Sequence, residues 1–86
     1  MFERFKGITK EEKAALTFDD FTVSEIKYLI EETVLNDRDR QIAELKLCRA
    51  FTIDRICSKF DYDDKTISDA VAKIKEKVKK TILKVL

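Results

Sequence analysis

Apolar positions recur along most of this chain at three- and four-residue steps, the period of a helix lying on a core. The last segment shows it most plainly. Ile67, Val71, Ile74, Val78, Ile82 and Val85 form one stripe and predict a single long helix from about 64 to 86. Upstream, Val23, Ile26, Ile30 and Val34 form a second stripe. Ile42, Leu45 and Cys48 mark a third helix over about 37–50, and Ile53, Ile56, Cys57 and Phe60 a short fourth. Capping patterns place the starts: Thr9 with Glu12 opens a short helix to about Leu16, Thr22 with Glu25 the second, Asn36 with Asp39 the third, and Thr52 the fourth.

Composition narrows the class. The 86 residues include one glycine, Gly7, and no proline. Strand turns draw on both, and helix interiors exclude them. The expectation is an all-α fold of four to five helices forming one domain over 1–86. Residues 1–35 supply supporting helices, 36–80 a helix-turn-helix core, and Asp19-Asp20 the one soft joint. Phe2, Phe5, Phe18 and Phe21 are expected to close the small core.

The segment from Thr52 to Ile74, TIDRICSKFDYDDKTISDAVAKI, has the spacing of two helices joined by a three-residue turn, an arrangement whose second helix enters the DNA major groove. Thr52 caps the first helix, and Ile56 and Phe60 face the core. Cys57 supplies a small residue where the helices cross. Tyr62 packs from the turn, Asp63 caps the second helix, and Ile67 and Val71 anchor it from beneath.

Residues 35–78 also resemble region 4 of bacterial sigma factors and the related DNA-binding domains of response regulators. Leu35, Arg38 and Asp39 match that family's Leu-x-x-Arg-Asp/Glu entry; Thr52, Ile56 and Cys57 match its Ser/Thr-x-x-x-Ile-Ala scaffold; Thr66 and Ile67 match the Thr-Val pair opening its recognition helix. Asp61 stands where the family usually has glycine. Small stand-alone proteins of this kind occur in bacteria and phages. The resemblance implies a sequence-specific, transcription-regulator-type DNA-binding module. Thr52 and Arg55 would contact backbone; Asp64, Lys65, Thr66, Ser68, Asp69, Ala72, Lys73 and Lys77 would lie toward double-stranded DNA, with Arg38, Arg40 and Arg49 as further phosphate contacts.

Charge complicates that reading. Residues 1–72 carry 12 basic and 16 acidic side chains, whereas residues 73–86 carry six lysines against Glu76 alone. The basic end suits a polyanion, and equally suits the solvated face of a last helix. The acidic body favours a rival reading, a protein-interaction module that binds RNA polymerase, another regulator or a host defence protein.

Other chemistry finds little support. Without histidine, a paired nucleophile and base, or a glycine-rich phosphate loop, no catalytic constellation or cofactor is expected. Two cysteines make no zinc site, and both fall on apolar faces, so core packing is their expected role. The Asp61, Asp63 and Asp64 run lacks the glycine and distal glutamate of a calcium loop. No apolar run suits a membrane span or secretory leader, so a cytoplasmic, non-membrane protein is expected. The stripe past Val78 needs cover, either inside the chain against Phe2, Phe5, Ile8 and the first helix or from a second copy, leaving monomer and homodimer both open.

Overall fold

The computed structural model describes residues 1–86 and contains helices and no strands. In order they are α1 (Lys10–Ala15), α2 (Val23–Glu32), α3 (Asp37–Ala43), α4 (Ile53–Phe60) and α5 (Asp64–Val85). The expected caps are made. Thr9 with Glu12 and Thr22 with Glu25 form reciprocal capping boxes. Asn36 accepts from the Asp39 amide at 2.8 Å, and Thr52 from the Arg55 amide at 3.2 Å. Each satisfies an amide that the first helical turn leaves without an internal partner.

α5, 22 residues and about 33 Å long, is the spine of the molecule. All four other helices lie against it, and its stripe of Ile67, Val71, Ile74, Val78 and Ile82 meets Leu29, Ile42 and Ile56 in the core. The C-terminal part of the stripe is thus covered within one chain. Val85 and Leu86 are half-buried and Leu83 is exposed. The early aromatics do close the core, but against α2: Phe21 is buried, Phe5 lies 5.0 Å from its ring centre, and Phe2 lies 5.7 Å from that of Tyr28.

Several local expectations need correcting. Val23 and Val34 are exposed, Val34 almost fully at 91%. α2 ends at Glu32, so the helical period that pointed Val34 inward no longer applies; Thr33 takes the buried place. Its hydroxyl donates to the Leu29 carbonyl at 2.7 Å and lies 2.6 Å from the Thr81 hydroxyl on α5. The Thr81 hydroxyl also has a backbone acceptor, the Lys77 carbonyl at 3.2 Å, so either hydroxyl can be the donor across that pair.

The third helix does not run unbroken to residue 50. Past Ala43 it widens into a π turn over Glu44–Cys48, and Ala50 takes a left-handed backbone with φ 56°. Such a conformation is costly for a residue bearing Cβ, so tertiary packing must hold it. Asp19-Asp20 is no slack joint: Phe18–Asp20 forms one 3-10 turn, with the Thr17 amide bonded to the Asp20 carboxylate at 2.8 Å.

One buried acid binds the N-terminal segment. The Glu25 carboxylate accepts from both terminal nitrogens of Arg4, at 2.5 and 2.7 Å, and from the Thr22 amide at 2.8 Å. Burial alone raises its pKa, but the Arg4 and Thr22 hydrogen bonds outweigh burial and hold it below the usual carboxylate value.

Candidate nucleic-acid interface

α4, the turn Asp61-Tyr62-Asp63 and the start of α5 form two helices joined by a sharp bend. Asp61 turns the chain with φ 58° and ψ 41°, the left-handed conformation usually taken by glycine. Asp, with a short polar side chain, tolerates that region better than most residues. Asp63 caps α5, its carboxylate accepting the Thr66 amide at 2.8 Å, and that bond holds its pKa below the ordinary value. From beneath, Ile67 and Ile56 are fully buried, with Ala70 and Val71 beside them.

Cys57 is buried on α4 and faces the start of α5 through a contact the spacing does not show. Its thiol donates to the Asp64 carboxylate at 3.2 Å. Burial pushes the thiol pKa up, and the hydrogen bond to Asp64 pushes it further, so the neutral thiol is the stable form. Asp64 is therefore turned partly toward α4 rather than wholly outward. Cys48 is half-buried, and burial raises its pKa too.

The sequence-derived residues do not all share one face. Lys65, Asp69, Ala72 and Lys73 are exposed together along the first half of α5, with Thr66 and Ser68 half-buried at its margins. Thr52 and Arg55 are exposed at the start of α4. The Arg55 guanidinium lies 4.0 Å from the centre of the Phe51 ring, a cation–π contact that holds it near the surface. Lys77 marks the end of this run: at about 100° per residue it lies about 40° from Lys73 but about 120° from Lys65, and it lines a groove beside the end of α2.

Tyr62 does not pack inward; it is 41% exposed and sits beneath the Arg38 guanidinium, 5.6 Å from the ring centre. Arg38 also pairs with Asp39 at 3.1 Å. The sequence points to Arg38 as part of the Leu35–Asp39 entry and as a phosphate contact, and its pattern gives no sign that it reaches the turn.

From Thr52 to Lys73 there are five acidic and four basic side chains. The face thus offers hydrogen-bonding groups and isolated lysines rather than a basic sheet. No protein family, curated protein or solved structure matches this chain. No helix is long and apolar enough to cross a membrane.

Proposed function

We propose that this protein is a sequence-specific DNA-binding module of the transcription-regulator type, similar in plan to sigma region 4. One observation carries the reading: the exposed first half of α5 follows a tight left-handed turn and is anchored from beneath by Ile56, Ile67 and Val71. A helix so held presents a rigid face to a major groove. Lys65 and Lys73 supply charge-assisted bonds to phosphates or guanine edges, Ser68 a hydroxyl, and Ala72 a methyl suited to thymine. Asp69 is suited to accept from cytosine N4. Thr52 and Arg55 stand ready for the flanking backbone.

A gel-shift titration against mixed-sequence duplex DNA at 50 and 200 mM salt tests this directly. Retention at low salt that weakens steeply with salt is the expected result. No retention at 50 mM salt sinks the proposal. The acidic excess around the motif supports a second reading, in which the same face docks on RNA polymerase, another regulator or a host defence protein.

A further inference from the structure

A second surface lies on the other half of α5, and it does not depend on the DNA reading. Lys77 and Lys80 stand with Lys84 at steps of three and four, so on a helix they fall within an arc of about 60°. Its midpoint lies about 80° around α5 from that of Lys65, Asp69 and Ala72, while Lys73 falls inside the arc one turn before Lys77, so the two surfaces are separated chiefly along the helix axis. The three lysines form one wall of an open groove of about 420 Å³; the end of α2 forms the other, with Glu32 and Val34. Its floor is fixed by the buried Thr33–Thr81 hydrogen bond, 2.6 Å long.

The groove combines features that a phosphate track would not need. Val34 projects into it while 91% exposed, an aliphatic side chain with no partner in the fold. Lysine stems beside it are themselves apolar, with charge only at their tips. Glu32, the one carboxylate of the lining, repels a uniformly anionic polymer. A ligand complementary to all of these has an aliphatic anchor flanked by carboxylates, together with a polar or cationic group opposite Glu32.

We propose that this groove docks an acidic amphipathic peptide segment of a protein partner, burying an aliphatic side chain on Val34 and pairing carboxylates with Lys77, Lys80 and Lys84. The carboxylates give orientation and salt-sensitive association; burial of the anchor against Val34 sets how long the segment stays bound. A protein carrying both surfaces joins a partner to whatever the first half of α5 holds.

The test is selection of random 16-residue peptides on the 86-residue chain, followed by affinity measurements on the K80E/K84E and Val34→Ser variants. Both changes lie at exposed positions, and circular dichroism verifies that each variant is folded. Selected peptides are expected to carry at least two carboxylates around a Leu, Ile, Val or Phe. K80E/K84E should weaken them at least tenfold and Val34→Ser at least threefold. Three results overturn the proposal: no selected peptide, selected peptides without acidic bias, or affinities unchanged in both variants. A fourth comes from NMR titration with a 20-base-pair duplex. If the amides of Lys80 and Lys84 shift more than those of Lys65 and Lys73, the groove is a phosphate surface. If the duplex moves neither set while peptides still select on the groove, the DNA reading fails and this one stands.

Discussion

From Asp64 to Ile74, α5 buries Ile67, Ala70, Val71 and Ile74; from Lys75 to Val85 it buries Val78, Thr81 and Ile82. Both halves are therefore fixed from beneath, and their outer faces differ. The first half mixes two lysines beyond its cap with Asp64 and Asp69, whereas the second carries Lys75, Lys77, Lys79, Lys80 and Lys84 against Glu76. Part of that asymmetry has a local cause, since cations near a helix C-terminus are favoured by the helix dipole. The dipole acts within the last turn, so it accounts for Lys84 and not for Lys77 or Lys80. One continuous helix thus offers two rigid surfaces of different chemistry. Anchoring and recognition are separable along it, because one stripe meets the core everywhere while the opposite positions are free to differ.

The largest way to break this comparison is to remove the second half's anchor. Ending the chain at Lys80 deletes Ile82 together with the half-buried Val85 and Leu86, at a cost of about 3–6 kcal/mol. The 86-residue chain is expected to sediment as a monomer and the shortened chain to melt far lower. A dimer that becomes an equally stable monomer on truncation would instead make the stripe an interface.

The outer faces are compared next. K65E/K73E should reduce DNA affinity about 60-fold or more at 0.1 M salt, from a loss of about 0.9 in the salt slope per phosphate contact. Circular dichroism should be unchanged, since both lysines are exposed. K80E/K84E should leave DNA retention within a few-fold of the parent. Equal losses from the two pairs would make α5 one DNA surface and erase the distinction between its halves.

The helix crossing that positions the first half gives a smaller effect. Cys57→Leu should overpack it by about 1–3 kcal/mol, while Cys57→Ala should cost under about 1.5 kcal/mol because the site already accepts a small side chain. Equal melting temperatures for the two would show that Cys57 is not at the point of closest approach.

The smallest effect concerns α2, whose far end braces the second half through Thr33. The Glu25 pKa is depressed in the folded protein, so its contribution to stability is present above the ordinary value of 4.5 and is lost as pH falls through the lower folded value. Glu25→Gln should therefore lower the melting temperature at pH 7 by a few degrees and flatten its acid dependence below pH 4.5. An acid profile identical to the parent's would remove Glu25 from the account.

Much of the fold is legible in the sequence, because it rests on local rules. Helix period, the caps at Thr9, Thr22, Asn36, Thr52 and Asp63, and the scarcity of Gly and Pro are properties of short stretches of chain. They determine the helices, the three-residue turn, and the inward places of Ile56, Ile67 and Val71. Asp61, in an Asp-rich turn and standing where the resembled family usually has glycine, takes the left-handed backbone. Only the tertiary structure decided where periodicity stops. Val34 lies one residue past the buried Thr33, outside the helix, so its pattern pointed the wrong way; the π turn and left-handed Ala50 likewise answer to packing. The pairs Thr33–Thr81, Arg4–Glu25, Cys57–Asp64 and Arg38–Tyr62 join residues between 7 and 48 positions apart. No periodic signal encodes such pairs. The lysine groove has the same origin. Sequence supplies its charges at helical spacing, and the docking of α2 on α5 supplies the opposite wall.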